Sequence, residues 1–115
     1  MPLPGFDAES MRKPIGFDPV RGKFLYVDEV VSGREAIVPL ERLTPDELKQ
    51  LVIERQRQGR DYRVQAITGP AYNRDEVIRA IERDEPFGRM TVEAEASYLG
   101  DLLTQIAAHL RQPRK

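Results

Sequence analysis

The chain has no cysteine, no tryptophan and a single histidine in 115 residues. Without thiols it forms no disulfide, offers no thiol nucleophile and holds no cysteine-based zinc or iron–sulfur site, a composition compatible with a reducing cytosol. One histidine leaves too few strong ligands for a mononuclear zinc centre. Neither sign of charge dominates: 18 Lys and Arg face 19 Asp and Glu, a net charge of -1, so no global field draws in a polyanion. No apolar run approaches the length of a membrane span. The start, Met1-Pro2-Leu3-Pro4-Gly5, lacks the basic residues and apolar core of a signal peptide. These absences lead us to expect a cytoplasmic protein with no metal, no cofactor and no membrane contact.

What remains describes a globular chain. Hydrophobic residues make up 40% and charged residues 32%, enough for one domain to close a core without staples. Residues 1–22 carry Pro2, Pro4, Pro14 and Pro19 with Gly5, Gly16 and Gly22, a density that excludes helix and interrupts strand ladders. They are expected to form an irregular arm, partly laid on the domain through Phe6, Met11, Ile15, Phe17 and Val20. The domain proper is expected over 23–111, with a basic tail at 112–115.

Within the domain one unit occurs twice, offset by about 29 residues: a short apolar run, a loop, then a capped helix start. Thr44 is followed by Pro45, Asp46 and Glu47, and Asn73 by Arg74, Asp75 and Glu76. A cap residue with glutamate three positions later is a capping box. The first helix is expected to run to about Gln58 and stop at Gly59; the second spans about 74 to 84 and closes at Pro86. Lys23 to Val31 is rich in β-branched and aromatic residues. With Ser32-Gly33 as the turn and Ala36-Ile37-Val38 as the return, it predicts an antiparallel hairpin. A third strand, about 62 to 68, pairs in parallel through a right-handed crossover. The class expected is α+β, or small α/β, in the order β-β-α-β-α-α, with a three-stranded mixed sheet packed by helices.

The segment from about 87 to 111 has the strongest periodicity. Val92, Ala96, Leu99, Leu103, Ile106 and Leu110 recur at intervals of four and three, one stripe of a helix. Phe87, Met90, Ala94 and Tyr98 form a second set on roughly the opposite side. Gly100, inside this helix, costs about 1 kcal/mol relative to alanine, which points to close packing there.

Catalytic residue types are scarce. His109, beside the basic tail, suits the carbonyls at a helix end. Asp28 and Glu29 diverge if their segment is extended, and Glu93 and Glu95 lie about 200° apart on a helix, so neither pair has acid–base geometry. Thr68-Gly69-Pro70 precedes a helix start already occupied by Asn73, Asp75 and Glu76, which repels a phosphate. The densest basic stretch is Arg55, Arg57, Arg60 and Arg63, suited to phosphate by its forked donors. Tyr26, Tyr62 and Tyr72 are unplaced candidates for a site shared across an oligomer. The expectation is a non-enzymatic interaction module, an adaptor or accessory subunit acting through the stripe Val92 to Leu110, as a homo-oligomer or with a protein partner. The alternative is a small nucleic-acid-binding regulator using the arginine cluster.

Overall fold

The computed structural model describes residues 11–59, 63–65 and 71–111. In chain order these form β1 (Gly16–Asp18), β2 (Lys23–Leu25), α1 (Val27–Val31), a 3-10 turn (Leu40–Arg42), α2 (Pro45–Gln58), β3 (Arg63–Gln65), β4 (Ala71–Asn73), α3 (Arg74–Glu82) and α4 (Pro86–Arg111). The class is α+β, and both predicted capping boxes close. Thr44 Oγ1 accepts the Glu47 N–H at 3.1 Å while the Glu47 carboxylate accepts the Thr44 N–H at 2.8 Å. Asn73 and Glu76 repeat the exchange at 2.9 and 3.0 Å.

The N-terminal half differs from expectation. Val27–Val31 is a helix because Val27, Val30 and Val31 recur at helical intervals of three and four: the first two are buried and Val31 packs on the same core. Ser32-Gly33 is its stop, not a hairpin turn. Gly33 takes φ 84°, its N–H bonds the Val30 carbonyl and the Arg34 N–H bonds the Glu29 carbonyl, the paired bonds of a Schellman motif. The hairpin lies earlier: its first strand falls within what reads as the irregular arm, and its second is the start of the expected strand Lys23 to Val31. β1 and β2 pair antiparallel, Gly16 opposite Leu25 and Asp18 opposite Lys23, and the Ile15 N–H adds a rung to the Leu25 carbonyl at 2.8 Å. Pro14 and Pro19 flank this short ladder rather than interrupt it. Asp18 Oδ1 accepts the N–H groups of Val20 and Arg21, and Gly22 turns the chain at φ 63°. Residues 1–10 and 112–115 lie outside the described residues.

No three-stranded mixed sheet is present among the described residues. β3 pairs antiparallel with β4, Arg63 opposite Asn73, and the two ladders are separate. A short local hairpin closes at less entropic cost than a crossover around a helix. Among the described residues Ile37 and Val38 pair with no strand, and they pack against the core instead.

The apolar side chains form two clusters on either side of α2. Leu51 joins Ile15, Leu25, Val27, Val30, Leu99, Leu102, Leu103 and Ile106; Val52 and Ile53 join Val77, Ile78 and Ile81. The long helix α4 serves both, its C-terminal half in the first and Phe87 and Val92 against the second. α3 turns into α4 through a second Schellman motif: the Asp84 N–H bonds the Ile81 carbonyl and the Glu85 N–H bonds the Ala80 carbonyl. Here the left-handed residue is Asp84 itself, at φ 56°. Gly88 lies against this corner, where a Cβ would overlap the Ala80 carbonyl and the Ile81 nitrogen. Gly100, by contrast, has nothing within 4 Å of a would-be Cβ, so it marks no close packing.

Candidate functional site

The apolar stripe of α4 divides along its length. Leu99, Leu103 and Ile106 are buried in the chain's own core. Their cover comes from α2 and from the Ile15–Leu25 hairpin, whose first strand belongs to the segment 1–22 expected as an arm and whose Ile15 lies on the domain as expected. Val92 is half-buried and lines a mainly apolar groove of about 200 Å³ with Leu48 and Ile81, Ala96 is half-buried, and Leu110 is 45% exposed. Half of the stripe is thus core, so the set cannot act together as an outer surface.

The second set contains the exposed members. Met90 is 65% and Tyr98 49% exposed, and Ala94 between them is also exposed. They are spaced four residues apart, a row over successive turns of α4. Phe87, at the head of the row, is half-buried and stacks on Tyr72 with ring centroids 4.1 Å apart.

The arginine cluster is broken up. Arg55 is 6% exposed: its Nη1 donates to the Pro14 carbonyl at 2.9 Å, its Nε to Glu95 at 3.3 Å, and its guanidinium lies 5.6 Å from the Tyr98 ring centre. Gln56 adds a bond to the same carboxylate at 3.1 Å. With its donors turned inward, Arg55 offers no phosphate contact. The sequence carries a signal for this: Leu48, Leu51, Val52 and Arg55 follow the spacing of one apolar helix face, on which Arg55 is the last member. Arg57 is exposed, its ion pair to Glu54 at the 4.0 Å limit. Arg60 lies outside the described residues, and of Arg63 the backbone alone is described, in β3.

The remaining candidates have structural surroundings. Asp28 faces Arg34 at 3.7 Å, and Glu29 reaches back to the Tyr26 N–H at 3.2 Å, so the two carboxylates diverge on a helix as they would on a strand. Glu95 is held by Arg55 while Glu93 is exposed. His109 is exposed in the last turn of α4. Tyr26 caps α1, and burial, reinforced by the nearby Glu54 and Glu29, raises its phenol pKa. Tyr62 and the turn 68–70 lie outside the described residues. Among the described residues no group of three or more His, Asp or Glu lies together as a metal site, and no helix is long and apolar enough to cross a membrane.

One ionic cluster carries no signal in the sequence, because its members are distant in the chain. Glu35 accepts from Arg21 and from Lys23 Nζ at 2.7 Å, and Arg21 also bonds Asp18 through Nε at 2.7 Å. The Arg21 hydrogen bonds, followed for Glu35 by that of Lys23, hold both carboxyls below their ordinary range. The residues lie 12 and 14 positions apart and meet because the chain, after α1 and its Gly33 stop, brings Glu35 back beside Arg21 and Lys23. Compared with known proteins, the chain matches no family model, no curated protein and no solved structure.

Proposed function

We propose that the protein is a non-enzymatic interaction module, an accessory or adaptor subunit, that associates with a second copy of itself through the outward face of α4. The supporting observation is the exposed row Met90, Ala94 and Tyr98 on a helix of 26 residues whose opposite face is buried at Leu99, Leu103 and Ile106. The row reads large, small, large, and it is symmetric about Ala94. Laid antiparallel with Ala94 over Ala94, two copies set each Met90 against the other's Tyr98, a favourable thioether–aromatic contact, while the small central residue permits close approach. Isologous pairing of this kind is the commonest symmetry among oligomers. An interface centred on three side chains is small, so the association is weak and concentration-dependent.

Sedimentation equilibrium from about 10 μM to about 1 mM tests this. Wild type moves toward dimer mass as concentration rises, whereas Ala94→Glu stays monomeric with an unchanged melting temperature. A wild type that remains monomeric throughout, or an Ala94→Glu variant that associates equally, refutes the proposal.

A further inference from the structure

A cleft of about 290 Å³ opens between the last turns of α2 and the first two turns of α3, lined by Arg57, Arg74, Asp75, Ile78 and Arg79. We propose that this cleft binds the phosphomonoester group of a small ligand. Arg57 is what remains exposed of the sequence cluster on α2; Arg74 and Arg79 come from α3, so the three guanidinium groups converge only once the two helices pack.

Each has donors to spare. Arg74 is steadied by its Nη1 bond to the Gly59 carbonyl at 2.9 Å and by Asp75 at 3.8 Å from Nε, which leaves Nη2 without a partner among the described residues. Arg79 makes no ion pair among the described residues, and Arg57 has only the distant Glu54. Among the described residues that line the cleft, three guanidinium groups face one carboxylate, that of Asp75, with Glu54 outside the lining, an excess matching a phosphomonoester, which carries about 1.5 to 2 negative charges at pH 7. Asp75 is 75% exposed, and Glu76 is turned away to cap the helix, so the opposing charge is small. Arginine's planar fork suits two phosphate oxygens at once. The side chain of Ile78 gives the cleft an apolar wall for the group that carries the phosphate.

The Glu76 N–H is already bonded to Asn73, so recognition rests on arginine rather than on the helix terminus. A compact pocket on a chain of net charge -1, with Arg55 withdrawn, favours a single phosphomonoester over the extended phosphodiester track of a nucleic acid.

The test follows the arginine Nε–Hε signals by NMR during titration with phenyl phosphate, phenyl sulfate and an unphosphorylated single-stranded oligonucleotide. Phenyl phosphate is expected to shift Arg57, Arg74 and Arg79 saturably, with phenyl sulfate, a monoanion of the same shape, at least about tenfold weaker. Arg57→Gln with Arg79→Gln, which keeps the Arg74 anchor on Gly59, abolishes the saturable shift while leaving the melting temperature within a few degrees. Equal responses to phosphate and sulfate, tighter binding of the oligonucleotide, no saturable shift, or retained binding in the folded double variant each overturn the proposal.

Discussion

Replacing Gly88 and Gly100 in turn by alanine should move stability in opposite directions, although both lie within the same helix. In a helix interior alanine is favoured over glycine by about 1 kcal/mol. At Gly100 nothing lies within 4 Å of the new Cβ, so most of that gain is realised. Unfolding entropy of about 2.1 cal/mol/K per residue converts 1 kcal/mol into about 4 °C for a chain of this length. At Gly88 the Cβ overlaps the backbone of Ala80 and Ile81. Backbone atoms cannot rotate aside, so α4 must lift from the α3 corner and loosen Ile81, Phe87 and Val92. Overpacking of this kind costs about 1 to 3 kcal/mol; taking the upper value and deducting the propensity gain leaves a net loss of about 2 kcal/mol, or about 8 °C. Calorimetry on the three proteins, with urea midpoints as an independent measure, gives the comparison. A Gly88→Ala variant that melts at or above wild type would refute the close packing of α3 on α4.

Arg55→Met should cost about 1 to 3 kcal/mol by leaving the buried Pro14 carbonyl without its donor and Glu95 with Gln56 alone, whereas Glu95→Gln, at the more exposed end of the pair, should cost less; urea titration of both measures the difference. Thr44→Ala and Asn73→Ala should each lose about 1 kcal/mol of stability, as removal of a helix cap does, and thermal melts check this. Asp84→Gly relieves a left-handed backbone worth about 1 kcal/mol and gives up an exposed ion pair with Lys49 worth about as much or less, so its melting temperature should equal or exceed that of wild type. Glu35→Gln should lower the urea midpoint at pH 7 and converge with wild type in acid. A carboxyl held below its ordinary pKa contributes fully above the unfolded value of about 4.3, and that contribution disappears as pH falls through the folded value.

The parts of the fold governed by local chemistry were legible from sequence. Thr44 with Glu47 and Asn73 with Glu76 settle their helix starts through bonds spanning three residues, and Gly59 ends α2 where composition places the stop. The five residues Val27–Val31 misled because β-branched content favours a strand while their three-and-four spacing favours a helix. The buried face and the Gly33 stop decide between them. Coverage of Leu99, Leu103 and Ile106 was legible only in part: Ile15 reads as laid on the domain, but its partner Leu25 and the central Leu51 join it from distant positions in the chain. Likewise, the arginine row 55, 57, 60, 63 looks continuous in sequence, yet Arg55 sits on the apolar face of α2. Arg57 finds its neighbours on α3, a juxtaposition that exists only in three dimensions.

The guanidinium of Arg55 reaches 41 residues back to Pro14 and 40 residues forward to Glu95. It therefore pins the first hairpin, the central helix and the last helix at a single point. Peeling away the hairpin alone would strip a buried cation of its carbonyl partner and uncover Leu51 and Leu99 together, so such an opening costs far more than the three-residue ladder itself. In hydrogen exchange, the amides of Ile15 and Leu99 should accordingly report one shared opening event, and the molecule should come apart as a single cooperative unit although its apolar side chains are gathered in two clusters.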